Sequence, residues 1–155
     1  MIVLDDLKRH FRYNTWANET VLKSLPSARI PPKALRWMNH IAACEYLWIA
    51  RILQHGQPFA VWPEWSYEEC RRQILSLAET WPAFLSSLTS EGLSRKVSYV
   101  NVKGEHFTNT VGDILTHVLY HSAHHRGQAT ADIRACGGEP VSSDFIHAVR
   151  SHVIE

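Results

Sequence analysis

Apolar positions in the first segment recur every three or four residues: Leu4, Leu7, Phe11, Val21 and Leu25, with Asn14 and Asn18 on the same line. That period predicts an amphipathic helix over residues 4–25, ended by Pro26, whose ring cannot continue the backbone pattern. Two amides on a stripe that otherwise faces a core either line a polar site or are buried to fix helix register. A second helical pattern starts near Pro31 and Pro32, which a first turn tolerates, and runs to about Gln54 before Gly56 and Pro58 break it. Its apolar residues nearly surround the axis, so it should be largely buried. Residues 56–65, GQPFAVWPEW, have no helical period and read as a connection draping aromatic side chains over one end of the fold.

Ser66 followed by Glu69 is a helix-start signal, and Tyr67, Ile74, Leu77, Ala78, Trp81, Leu85 and Leu88 continue a helical stripe toward Thr89. Pro82 is expected to kink or divide that helix. Residues 95–108, RKVSYVNVKGEHFT, carry β-branched and aromatic residues around a KGE turn, the pattern of a short hairpin or extended excursion. Thr110 with Asp113 opens a last long helix that closes at Gly137 and Gly138, and a short terminal helix follows from about Ser143. The expected fold is all-α: one domain over residues 1–155, a four-helix bundle with an extended crossover before the last long helix and a short C-terminal helix.

Composition narrows the function. The 155 residues are 45% hydrophobic and 20% charged, with a formal net charge of +1. Such a balance lacks the basic footprint of a nucleic-acid binder and the low hydrophobicity of a disordered chain. No apolar run reaches the ~20 residues of a membrane span. The first residues, MIVLDDLKRHF, lack a basic region ahead of an apolar stretch, and Cys44, Cys70 and Cys136 form no CxxC pair, so a cytoplasmic protein with reduced thiols is expected.

Histidine is the outlier, with ten in the chain and seven in its second half. In THVLYHSAHHRGQATAD, His117, His121 and His125 are spaced i, i+4, i+8, at about 0°, 40° and 80° around a helix, with Gln128 and Asp132 in the same sector and His124 at about −20°. Imidazoles one turn apart can chelate one metal ion, and either the 117/121 or the 121/125 pair satisfies that geometry. A second helix must complete the sphere. His40 lies mid-helix among core residues, and Cys44, one turn later on the same face, offers a thiolate as a further ligand type. A single buried histidine is usually a hydrogen-bonded core residue. Several on one face without a metal would compete for too few partners, so the stripe favours a metal site over a solvated, pH-sensitive face.

Taken together, YNTWAN at 13–18, MNHIAACEYLW at 38–48 and LTHVLYHSAHHRGQ at 115–128 resemble the DinB/YfiT-like family of bacterial proteins, over nearly the whole chain. The resemblance implies a four-helix bundle, commonly dimeric, with one divalent ion, zinc or nickel, held by His40, His121 and His125. It makes His117 and Gln128 second-layer or substrate-lining residues, a role that Asn14 and Asn18 share if they line the site, and leaves Cys44 in the core. Gly127 would let a neighbouring helix approach closely, and exposed Trp62 and Trp65 would contribute to a homodimer contact.

Three neutral imidazoles would leave an open coordination position. Such an ion can lower the pKa of bound water for hydrolysis or bind a small thiol for transfer to an electrophile. The expected partner is a small molecule, such as a low-molecular-weight thiol. An obvious general base is lacking: Glu45 lies about 140° from His40 around its helix, Asp132 is nearly two turns beyond His125, and there is no HExxH. A metal-dependent thiol transferase or hydrolase is therefore set against a non-catalytic metal-binding or sensing bundle and against a plain helical scaffold.

Overall fold

The computed structural model describes residues 3–26 and 29–155. Four long helices carry it: α1 (Leu4–Lys23), α2 (Pro32–Leu53), α3 (Tyr67–Ser86) and α4 (Val111–Ala135). A single 3-10 turn at Glu91–Ser94 leads into strands β1 (Lys96–Val100) and β2 (His106–Thr110), and the short helix α5 (Phe145–Arg150) follows α4. Main contacts run α2 to α4, α1 to α3, α1 to α4 and α2 to α3, while α1 and α2 barely touch and lie diagonally.

The expected α1 stripe is buried along its full length, Asn14 and Asn18 included. It packs with Met38 and Ile41 of α2, Ile74, Leu77, Trp81 and Leu85 of α3, and Ile114, Leu115 and Val118 of α4. Pro82 neither ends nor divides α3, which runs unbroken to Ser86. Its ring is exposed, so the missing N–H falls on the wet side of the helix and disturbs no buried contact.

The caps follow the sequence signals. Ser66 Oγ accepts from the Glu69 N–H, and Thr110 Oγ1 accepts from the Asp113 N–H while the Asp113 carboxylate accepts from the Thr110 N–H. Gly137, at φ 80°, and Gly138 close α4 by turning N–H groups back to Arg134 and Ile133. The excursion before α4 is an antiparallel hairpin with Lys96 paired to Thr110 and Val100 to His106, so β2 feeds directly into the α4 cap. Among the described residues no helix is long and apolar enough to cross a membrane.

Candidate metal centre

The α2–α4 interface, the most extensive in the fold, is where the imidazoles meet. The His40 ring from α2 lies 5.0 Å from that of His121 and 4.7 Å from that of His125, centroid to centroid, and the two α4 rings are 4.4 Å apart. Cys44, which the resemblance put in the core, is buried there, and it also joins the cluster. The donor atoms of His40, Cys44 and His121 all lie within 4.8 Å of one another, a group in which Cys44 stands and His125, though its ring is adjacent, does not. Nitrogens of a tetrahedral site with bonds of about 2.1 Å stand roughly 3.4 Å apart, so small side-chain rotations close this group onto one ion. Imidazole and thiol donors suit a borderline-soft divalent cation and fit poorly with hard ions that prefer oxygen.

Two hydrogen bonds decide which nitrogens remain available. His40 Nδ1 is 2.8 Å from the carbonyl oxygen of Val61, an acceptor only, so Nδ1 carries the proton and Nε2 keeps its lone pair. His125 Nδ1 donates likewise to Gln128 Oε1 at 2.5 Å. Partners of this kind orient metal-binding histidines and raise their basicity as ligands. Burial lowers the pKa of all three imidazoles, with a further push from neighbouring rings or cations; His121, with His125, His40, His117 and His124 around it, is taken down to about 3. At neutral pH the cluster is uncharged and its lone pairs are open to a cation. Burial pushes the Cys44 thiol up to about 12, so it is protonated unless a cation draws the proton off.

The connection between α2 and α3 covers this centre. Asn39 Nδ2 donates to the Trp65 and Pro63 carbonyls, at 2.9 and 3.4 Å, and its neighbour His40 holds Val61. These anchors stack Trp62 on His40 with ring centroids 3.7 Å apart and planes 6° from parallel. Trp37 stacks on His125 at 5.1 Å while its indole N–H donates to Asp132 Oδ2 at 2.9 Å. Trp62 thus serves the imidazole layer, although part of it stays exposed, and Trp65 packs edge-on to Phe59 at 4.9 Å. His117 is exposed, edge-on to Trp48 and 5.5 Å from His121; His124 is exposed beside His125.

Asn14 and Asn18 do not line the centre. Both donate to Glu45 Oε1, at 2.8 and 2.9 Å, and both accept from Arg126 Nη1, at 2.6 and 2.8 Å. Ser122 Oγ also donates to Glu45 Oε1 at 3.0 Å, and the Trp81 indole N–H to Oε2 at 2.6 Å. All six residues are buried, and they tie the four long helices together through one carboxylate and one guanidinium bridged by two amides. Isolated, either charge would be very unfavourable inside a protein; here each meets fixed polar partners. Burial still lowers the Arg126 pKa. The network escaped sequence reasoning, although Arg126 falls on the stripe Val111, Leu115, Val118, Ser122, Ala129, Ile133 that α4 buries. A lone arginine at such a position was its signal. Gly127 serves no close approach, since a Cβ there would meet nothing within 4 Å.

Known proteins resemble this chain in fold and in sequence. A DinB-like protein from Bacillus cereus ATCC 10987, solved by crystallography, superposes with a TM-score of 0.63 over 89% of this chain and 95% of that one, at 16% identity, a likeness of fold. Protein DinB of Bacillus subtilis (strain 168) is 25% identical, over 87% of this chain and 88% of its own. The sequence model of the DinB family matches residues 4–152, and with nearly its whole length inside that match the chain belongs to the DinB family.

Proposed function

We propose that this protein is a cytoplasmic, homodimeric four-helix bundle that works as a metal-dependent enzyme on a small-molecule substrate, with His40, His121 and His125 holding one divalent ion, zinc or nickel. The observation that carries the reading is the pair of Nδ1–H bonds, to Val61 and Gln128, that leaves Nε2 of His40 and His125 unprotonated beside His121. Cys44 stands close enough to take a coordination position in turn. A bound ion would supply charge that makes a thiol or water nucleophilic at neutral pH. The chain's own part is to present neutral donors and to shield them with Trp62 and Trp37.

Carboxylate placement favours the thiol branch over hydrolysis. Glu45 is occupied by four donors and Asp132 lies nearly two turns beyond His125, so neither stands ready to take a proton from water at the centre. The same lack of a base supports a second reading, a non-catalytic metal-binding or sensing protein. Metal content of tag-free protein by mass spectrometry tests the site: about one ion per chain is expected, lost in His40→Ala and His121→Ala. Consumption of a low-molecular-weight thiol with a model electrophile, with and without chelator, then separates the readings. Chelator-sensitive turnover supports the enzyme, stoichiometric metal without turnover the second reading, and protein that binds no added zinc or nickel sinks both.

A further inference from the structure

Outside the Trp37–Trp62 layer lies a cavity of about 550 Å³, lined by Lys33, Arg36, Trp37, Trp62, Gln128 and Asp132. We infer that it binds the carboxylate of a small, flat substrate, with Arg36 as the main anion contact; this rests on the metal-dependent reading above. Three observations converge. The volume lies within the range of small-molecule sites. Its charged walls, two cations against one carboxylate, leave a net positive charge that suits a monoanion. Its aromatic walls are the two indoles stacked on His40 and His125, so an occupant sits one ring layer from the metal ligands.

The cations are placed as for a ligand. Among the described residues the ion pairs are Lys8 with Asp5, Lys23 with Glu19 and Arg72 with Glu69, none of which involves Lys33 or Arg36. Asp132, the acid in the same wall, is held by the Trp37 indole N–H. Arg36 lies with its guanidinium carbon 5.0 Å from the centre of the Trp62 ring, within cation–π range, and enters none of those ion pairs, so its N–H donors can serve a carboxylate. Both cations also stand at the start of α2, whose first turn carries no acidic residue, so they repel each other and the helix's positive end. A bound carboxylate relieves that repulsion, and the tryptophan faces take a conjugated body.

Calorimetric titration with cinnamate and its uncharged isostere cinnamamide tests the inference, on metal-loaded and on chelated protein. Cinnamate is expected to bind at least about tenfold tighter than cinnamamide, a preference lost in Arg36→Met and weakened in Lys33→Met, while metal content and cinnamamide affinity stay unchanged in both variants. Both side chains are exposed, so the fold should survive. Equal affinity for the two probes, no binding of cinnamate at millimolar concentration, or indifference to Arg36→Met overturns the inference even if metal binds stoichiometrically. Arg36-dependent cinnamate binding in protein that takes up no metal leaves the carboxylate pocket standing while the metal reading falls.

Discussion

Glu45→Gln changes one carboxylate oxygen to an amide NH2 and leaves the side chain's shape intact. In the native fold Oε1 accepts from Asn14, Asn18 and Ser122, and Oε2 accepts from Trp81. The amide can place its oxygen toward the first three donors only by turning its NH2 against the indole N–H, a donor facing a donor. The substitution also removes the negative charge that offsets Arg126, which is 3% exposed. Breaking a buried charge pair costs about 3–5 kcal/mol, and the lower end applies because two amides separate these charges. For a chain of this size about 3 kcal/mol lowers the thermal midpoint by roughly 6–12 °C, a large share of a typical total stability of about 5–15 kcal/mol. Urea unfolding of Glu45→Gln, Arg126→Met and the double variant measures it, with the double expected to be more stable than the sum of the singles by about 1–3 kcal/mol. A loss below about 1 kcal/mol in Glu45→Gln, or singles that add within about 0.5 kcal/mol, would refute the coupled-charge account.

Gln128→Ala frees the His125 ring to rotate, and an affinity loss of about 10–100-fold for zinc by competition with a chromophoric chelator is expected, with the fold unchanged by circular dichroism. For pH, His121 titrates near 3 when folded and near about 6.5 when unfolded, so the unfolded chain binds more protons between those values and stability rises with pH across that window. The thermal midpoint of chelated protein should therefore fall as pH drops below about 6.5, less steeply in His121→Ala; a flat profile in the parent protein would count against neutral buried imidazoles. Gly127→Ala adds a methyl group that meets nothing within 4 Å in mid-helix and should stabilise by roughly 0.5–1 kcal/mol in thermal unfolding, whereas Gly138→Ala brings a Cβ within 2.8 Å of Ile133 Cγ2 and should destabilise. If Gly127→Ala lowers the midpoint, that glycine has a role in packing that its surroundings do not reveal.

The helices were legible because their signals are local. A three-four stripe, the Ser66 and Thr110 caps and the paired glycines after α4 act within a few residues of where they are written. The convergence of His40 with the α4 histidines follows from helical spacing plus a histidine set mid-helix among core residues, while the family resemblance chose the 121/125 pair over 117/121. The Glu45 network was not legible. Asn14, Glu45, Trp81 and Arg126 are each ambiguous alone, and their meaning depends on four helices meeting at one level. Nor did periodicity reveal Trp62 over His40, because a loop's path is set by Asn39 and His40 holding its carbonyls.

Three of the six tryptophans lie against imidazoles of α2 and α4: Trp62 on His40, Trp37 on His125 and Trp48 edge-on to His117. Trp81, by contrast, is sealed in the core with its indole N–H fixed on Glu45. The protein therefore carries a built-in optical reporter. Arrival of a paramagnetic ion among the imidazoles is expected to quench the emission of the indoles that contact them, so site occupancy can be followed on unlabelled protein by ultraviolet light alone.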